Sequence, residues 1–254
     1  VDVGDIDSEI RKLLIDEKGR IVVAGFIDDG TKENPMIARL DANGELDPFF
    51  DEDGLATDSS SDGRGAGLAE SADGQLIVGG YSVRDTDWKG LYLAQFLENG
   101  ALDNQFGEGG RSLWFDDIEQ ISVHDIAVAP DGKIILAGEV ELPDGQHRIM
   151  LARYEKDGLP DLSFGENGIL VHDSGLDSGV YSLVVHPDTT IIAAGYQASS
   201  AGKDMVIIRY LPVADIPDVI EKEELEKITS ASGDEPVEII KIAALSIEEG
   251  SMNI

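Results

Sequence analysis

Short apolar runs separated by polar turns recur along most of the chain. In one copy of this pattern, residues 123–128 alternate as in a half-buried strand, and residues 133–137 form a nearly continuous apolar run. The Pro130-Asp131-Gly132 sequence between them is typical of a tight turn, with a glycine free to take a positive φ. Residues 149–154 and 169–171 add two further apolar runs. The pattern predicts an antiparallel meander of four strands.

This unit occurs four times. A glycine closes the second apolar run of each copy, and successive closing glycines are 55, 58 and 57 residues apart: Gly25, Gly80, Gly138 and Gly195. A fixed period of this size indicates a repeat architecture. One four-stranded sheet cannot bury both faces alone, whereas a β-propeller packs such sheets around an axis. We therefore predict an all-β, propeller-like array of four four-stranded antiparallel blades over residues 1–212.

Other positions recur with the same period. The third run carries an arginine or glutamine, and a phenylalanine follows the next turn: Arg39, Gln95, Arg153 and Arg209, then Phe50, Phe106 and Phe164. Because these residues return in successive copies, we interpret them as structural, with the arginines binding turn carboxylates or carbonyls.

The repeat also resembles a known family. The sequences Asp-Gly-Lys-Ile-Ile-Leu-Ala-Gly at 131–138, Ala-Arg-Tyr at 152–154 and Gly-Leu-Pro-Asp-Leu-Ser-Phe-Gly at 158–165 together resemble the delta-60 repeat family. The resemblance covers residues 1 to about 211, although the first copy loses a glycine at Asp51 and the fourth lacks the Asp-Gly turn. It implies a propeller-like fold in a bacterial exported or surface-associated protein. It implies no chemistry, because the family is defined by its scaffold.

The first residue of the chain does not coincide with the start of a repeat. Residues 1–3 align with a fourth strand, and the last copy stops after a third strand at 206–210. The offset predicts that residues 1–3 complete the last blade and close a small ring; the alternative is part of a larger ring. Residues 213–254 form a C-terminal extension, predicted as a short helix and then a strand or helix. We expect it to pack on the propeller, to add a strand to the last blade, or to dock on a neighbouring chain.

Charge limits the partners. The chain has 51 acidic and 19 basic residues, a net charge of −32, which disfavours nucleic acid and anionic membranes. It has no cysteine, which excludes disulfides and thiolate metal sites, and no apolar segment long enough for membrane insertion. Calcium is the one cofactor that the charge suggests, with Asp41, Asn43 and Asp47 as weak candidate ligands. Leu97 replaces Asp41 in the second copy, so turn capping is the simpler interpretation.

No catalytic residue can be named. The four histidines occupy non-equivalent positions in the repeat, and none accompanies a nucleophile motif. Several aromatic side chains could either stack on a sugar or pack in the core: Trp88, Trp114, Tyr81 and Tyr92.

Function is expected where the copies differ. The connections at 28–35, 82–90, 142–148 and 198–203 vary, and variable loops commonly carry binding. We predict a non-enzymatic binding or structural module of an extracellular, periplasmic or cell-surface bacterial protein, with a protein or carbohydrate partner. One alternative is a carbohydrate hydrolase or lyase, which needs two opposed carboxylates. Another is a subunit of an extracellular filament or sheath that self-associates through residues 213–254.

Overall fold

The computed structural model describes residues 7–84, 88–114, 120–172, 174–200, 202–210 and 238–242. These residues form four four-stranded sheets, so the predicted all-β array of four blades is confirmed. Blade 1 and blade 2 each follow the chain order: β1 Asp7–Ile15, β2 Ile21–Asp28, β3 Glu33–Leu40 and β4 Leu55–Thr57, then β5 Gly63–Glu70, β6 Leu76–Arg84, β7 Trp88–Phe96 and β8 Arg111–Trp114.

Blades 3 and 4 repeat this arrangement. Their strands are β9 Gln120–Val128, β10 Ile134–Glu141, β11 His147–Tyr154 and β12 Ile169–His172, then β13 Ser178–Val185, β14 Ile191–Ser199, β15 Gly202–Tyr210 and β16 Glu238–Ile242. Every strand pair in blades 1 to 3 is antiparallel. In blade 4, however, β16 runs parallel to β15. A parallel neighbour needs a long connection, which the intervening segment is long enough to supply.

The proposed closing strand at residues 1–3 lies outside the described residues, as does the helix predicted at 216–227. Within the described part of the chain, no helix is long and apolar enough to cross a membrane.

The repeated glycine is explained by a β-bulge in the first strand of each blade, which we call the inner strand. The register of the first strand shifts by one residue at the same place in all four blades, next to the residue that pairs with the glycine. A Cβ on Gly25, for example, would overlap the backbone oxygen of Glu9 on the inner strand. The extra residue of each bulge is Arg11, Ala66, His124 or Tyr181. Because a bulge redirects a side chain, these four positions are placed to point differently from their neighbours.

The apolar cores lie between neighbouring blades. Leu68 of blade 2 packs with Val22 and Ile37 of blade 1 in one cluster of buried residues. Blades 2 and 3, and blades 3 and 4, share the corresponding clusters. Extensive strand contacts join blades 1 and 2, 2 and 3, and 3 and 4; among the described residues none joins blade 4 to blade 1. The blades therefore form an arc that is held at its ends by few direct contacts.

One buried carboxylate links three blades near the axis. Asp125 of β9 accepts hydrogen bonds from Lys12 Nζ of β1 at 2.6 Å, and from Ser182 Oγ at 3.0 Å and Leu183 N at 2.9 Å of β13. Asp125 follows the bulged residue of blade 3 by one position, so this contact holds the first inner strand beside the third.

Candidate functional site

We call the end of the blades that carries the turns between the first and second strands the turn end. There the recurring residues join the third strand to the turn that follows it. Arg39 donates from Nε to Asp47 Oδ2 at 2.8 Å, and its guanidinium lies 4.7 Å from the centre of the Phe50 ring. Blade 3 repeats the arrangement with Arg153, Asp161 and Phe164, at 2.7 Å and 4.4 Å. The same turn carboxylate is therefore bound by the same strand arginine in both blades, which stabilises the connection between the third and fourth strands.

The other two blades depart from this pattern. In blade 2, Gln95 donates to Gln75 at 2.8 Å, and Gln75 donates in turn to Asp103 at 3.0 Å. In blade 4, Arg209 is exposed, and the turn that would follow β15 lies outside the described residues.

The carboxylates proposed as calcium ligands are engaged in the turn itself. Asp41 Oδ1 accepts from the amides of Asn43 at 2.8 Å and Glu45 at 3.0 Å, and these bonds lower the pKa of Asp41. Asp47 is bound by Arg39 and by the Phe49 amide. Among the described residues, no three acidic or histidine side chains converge as a metal site would require. The turn geometry alone accounts for these residues.

A cavity of about 670 Å³ opens at this same turn end and is lined by residues of blades 2, 3 and 4. Gln75, Gln95 and Asp103 line it, and their mutual hydrogen bonds already occupy part of their polar atoms. Most of its remaining lining comes from the repeated turns, so it carries few groups that are specific to one blade.

The opposite end of the blades, the loop end, carries residues that differ between copies. There the bulged residues of blades 3 and 4 meet: the rings of His124 and Tyr181 lie 5.3 Å apart at an angle of 73°. Tyr196 stacks on the other side of Tyr181 at 5.6 Å and 30°. Tyr181 remains 55% exposed. We call His124, Glu139, Tyr181 and Tyr196 the Tyr181 cluster.

Glu139 completes the cluster because Gly179 leaves room for it. A Cβ at position 179 would overlap Glu139 Oε2 and would lie 2.8 Å from Tyr196 Cε1. Tyr196 OH donates to Glu139 Oε2 at 3.3 Å, and His124 Nε2 lies 3.7 Å from Oε1. The latter distance is too long for a hydrogen bond, so His124 Nε2 has no partner of this kind in the described structure.

The surroundings of Glu139 favour its ionised form. Burial by itself would raise the pKa of Glu139, but the His124 and His147 imidazoles and the Tyr196 hydroxyl together hold the pKa below its usual value. Burial, with the nearby Glu139 charge, raises the pKa of Tyr196. The cluster therefore places an ionised carboxylate, a buried phenol and a buried imidazole nitrogen beside the exposed Tyr181 ring.

Two of the variable loops supply the rim of the cluster. Asp177 accepts from the His147 amide at 2.9 Å, and its Oδ1 lies 3.2 Å from His147 Nδ1. Lys203 Nζ lies 3.6 Å from the centre of the Tyr196 ring and 3.7 Å from Asp177 Oδ2. The His147 amide bond, despite some burial, lowers the pKa of Asp177. These contacts hold the loops of blades 3 and 4 against the cluster.

The aromatic residues considered from sequence have other surroundings. Tyr92 is fully buried and donates to Asp58 at 3.0 Å, while Trp114 packs against a core cluster. Lys89 Nζ lies 4.9 Å from the centre of the Tyr81 ring, and the side chain of Trp88 is outside the described part. Sequence reasoning missed Tyr181. The signal that could have found it is the repeat alignment, since Tyr181 and His124 occupy the same position before the closing glycine of their copies.

The four bulged blades, with their cores between neighbouring sheets, define a β-propeller-like repeat protein. In agreement, residues 19–50, 71–106 and 129–164 match the sequence profile of a family described as "Domain of unknown function (DUF5122) beta-propeller". Each match begins near a first turn and ends at the recurring phenylalanine. The first three copies therefore match a family of propeller repeats.

Solved structures resemble the chain weakly. The endo-arabinase from Bacteroides thetaiotaomicron VPI-5482 has a TM-score of 0.46 at 15% identity, over 87% of this chain and 77% of that one. The Trypanosoma rangeli sialidase in complex with the inhibitor DANA has 0.46 at 12%, over 80% and 38%. MPT-4, a mannose phosphorylase from Leishmania mexicana, has 0.39 at 11%, over 82% and 64%. The likeness concerns the fold alone. A comparison with curated protein sequences gives no significant match.

Proposed function

We propose that this chain is a non-enzymatic, delta-60-type binding module of an exported or cell-surface bacterial protein, and that the Tyr181 cluster binds an uncharged glycan. The observation that carries the proposal is the exposed Tyr181 ring, which stands at the bulge of β13 in contact with the rings of His124 and Tyr196. The bacterial surface setting rests on the resemblance of the repeat to that family.

The chemistry of the cluster suits a sugar. A pyranose has apolar C–H faces that can lie on an aromatic ring, and hydroxyl groups around its edge that need hydrogen-bond partners. Glu139 supplies acceptor oxygens beside the ring, and His124 Nε2 has no hydrogen-bond partner in the described structure. Because His124 Nε2 is itself buried against Glu139, we expect a ligand hydroxyl to bind the partly exposed Glu139 carboxylate, with His124 behind it.

Net charge selects among glycans. The chain carries a net charge of −32, and Glu139 is held in its ionised form. Acidic sugars would approach against this field, whereas a neutral glycan would not. We therefore assign the site to uncharged oligosaccharides.

The lowered pKa values of Glu139 and Asp177, the two carboxylates at the cluster and its rim, also favour binding over hydrolysis. A glycosidase needs a carboxyl group that remains protonated near neutral pH to act as a general acid, and such a group has a raised pKa. Burial raises the pKa of Glu139, but its neighbours lower it by more. The filament alternative depends on residues 213–254, most of which lie outside the described structure.

The test is binding of a panel of neutral and acidic oligosaccharides, followed by titration calorimetry on any hit. We expect Tyr181→Ala to weaken the binding of a neutral glycan by about tenfold or more, since it removes the stacking surface, and Tyr181→Phe to retain most of it. Leu162→Ala, at an exposed leucine of the turn end, is the control and should bind like the parent. Unchanged binding by Tyr181→Ala, or release of reducing sugar from the hit, would overturn the proposal.

A further inference from the structure

Each inner strand except the first inserts a leucine or isoleucine into the preceding blade. Leu68, Ile126 and Leu183 occupy this position in blades 2, 3 and 4 and are only 4–5% exposed. Each belongs to the core shared with the blade before it. Leu13 is the equivalent residue of blade 1, and it is 62% exposed. Together with Ile10 and Ile15, which are also exposed, it forms what we call the β1 patch.

The last blade exposes the surface that receives such a residue. Met205 is 72% exposed, whereas its equivalents Leu91 and Ile149 are at most 1% exposed beneath the next blade. Ile207 and Val184 are likewise exposed in blade 4. We call Val184, Met205 and Ile207 the blade 4 patch.

The two patches are the separated halves of one type of interface. Three copies of this interface are formed inside the chain, each with the inner strand of one blade on the face of the blade before it. The β1 patch is the inner-strand half and the blade 4 patch is the receiving half. Because the blades are repeats of one sequence unit, the two halves carry apolar residues at the positions that form the three internal interfaces.

Within one molecule these halves are kept apart. Among the described residues, no strand of blade 4 makes an extensive contact with blade 1. The Lys12–Asp125 ion pair holds β1 beside blade 3, 2.6 Å between the charged atoms. Leu13, the next residue along β1, is exposed.

We propose that the β1 patch of one molecule docks on the blade 4 patch of a second copy of this chain, as though it were the next blade. The contact joins different surfaces of the two copies, so it is head-to-tail. Such a contact closes a ring of two copies if the rotation permits and otherwise extends as a filament. The net charge of −32 per chain opposes association. Salt of about 1 M shortens the screening length to about 3 Å and weakens this repulsion, so we expect association to be tighter there.

Complementary variants test the direction of the contact. Leu13→Glu spoils the β1 patch and Met205→Glu spoils the blade 4 patch, and both positions are exposed, so each variant should fold normally. By light scattering, we expect the parent to associate and each variant alone to be monomeric. An equal mixture of the two variants should recover a heterodimer, because one intact patch of each kind remains. Leu162→Glu, which changes an exposed leucine at the turn end, should associate like the parent.

A crosslink locates the contact and does not depend on those variants. Inside the chain, a Cβ built on Gly79 would lie 3.5 Å from the Cβ of Ile126, which is within disulfide range. The equivalent pair across the proposed contact is Leu13 and Ala194. Because the chain has no cysteine, the Leu13→Cys, Ala194→Cys double variant contains just these two thiols.

Oxidation of the double variant should give chains linked to each other, in an amount that rises with protein concentration. A crosslink within single chains would mean that the molecule closes on its own β1, and would overturn the proposal. A strictly monomeric parent, even in high salt, or a mixture of the two glutamate variants that stays monomeric while the parent associates, would also overturn it. Glycan binding at the Tyr181 cluster is a separate measurement that either result leaves unaffected.

Discussion

The junction between blades 1 and 2 and the junction between blades 3 and 4 are built on the same strand positions but are filled differently. At the first junction, the Arg64 guanidinium lies 4.3 Å from the centre of the Phe26 ring and forms a bidentate ion pair with Glu33. At the second, Gly179 takes the place of Arg64, and Glu139 takes the place of Phe26. The carboxylate of Glu139 occupies the space that a side chain at 179 would need.

Buried charge shows the same contrast. At the first junction Asp58 is buried and accepts from Arg111 at 2.6 and 2.7 Å, from Tyr92 at 3.0 Å, and from Ser60 and Ser61. At the second, His124 Nε2 has no hydrogen-bond partner in the described structure, and Tyr181 is half exposed. The first junction thus satisfies the Asp58 carboxylate internally, while the second leaves a buried nitrogen without a hydrogen bond beside an exposed tyrosine ring. One scaffold can therefore fill one junction with an internal ion pair and leave, at another, the exposed ring that we propose for recognition.

The largest expected effect is on the first junction. Asp58→Asn removes the charge that pairs with Arg111 and should lower the free energy of unfolding by about 3–5 kcal/mol, as when one partner of a buried ion pair is lost. The hydrogen bonds of Asp58 outweigh the cost of its burial and lower its pKa. Urea denaturation at neutral pH measures the change.

Asp204→Asn provides the control, since it makes the same chemical change at an exposed carboxylate. It should alter the free energy of unfolding by less than about 0.5 kcal/mol. If Asp58→Asn were as mild as this control, the first junction would not be the more stable of the two, and the contrast between the junctions would fail.

Filling the second junction should weaken recognition and leave the fold nearly intact. In Gly179→Ala the new methyl group displaces the Glu139 carboxylate, which sits at the end of a flexible side chain and can move. We expect glycan binding to weaken by about tenfold, as when a charged hydrogen-bonding partner is misplaced, with a melting temperature within a few degrees of the parent. Calorimetry and thermal melting measure the two quantities.

A double variant shows whether the methyl group acts through Glu139. Against a Glu139→Ala background, Gly179→Ala should have little further effect on binding, because its target is already absent. A full tenfold loss in both backgrounds would mean instead that the methyl group acts on the Tyr196 ring, 2.8 Å from the new Cβ, or directly on the ligand.

The turn end of the blades is the part that the sequence predicts well. Arg39 and Phe50 recur with a fixed period, and in the structure both belong to one local unit of strand and turn. Such positions can be predicted from the sequence because their partners lie within about ten residues and the same geometry is required in each copy. The glycine that faces the bulge is readable for the same reason, since only glycine fits against the inner-strand carbonyl.

The site could not be read in the same way. Glu139 and Gly179 come together across two blades, and neither residue recurs, so no periodicity marks them. The single-residue shift of the bulge also hides the alternation that would have aligned His124 with Tyr181 by side-chain direction. The parallel pairing of β16 is equally invisible, because an apolar run specifies a strand but not the direction in which it pairs.

The smallest expected effect is the pH dependence of Glu139, which tests the electrostatics of the second junction. The pKa of Glu139 in the folded chain lies below its ordinary value of 4.5. A group with a lowered pKa stabilises the fold above its unfolded pKa, and this stabilisation is lost as pH falls through the folded pKa. Glu139→Gln should therefore cost about 1 kcal/mol near neutral pH, and less and less below about pH 4.5. Urea midpoints of parent and variant across this range isolate the effect, since every other carboxylate is common to both. A difference that instead grew as the pH fell below about 4.5 would mean that burial, and not its hydrogen-bonding and charged neighbours, dominates the pKa of this carboxylate.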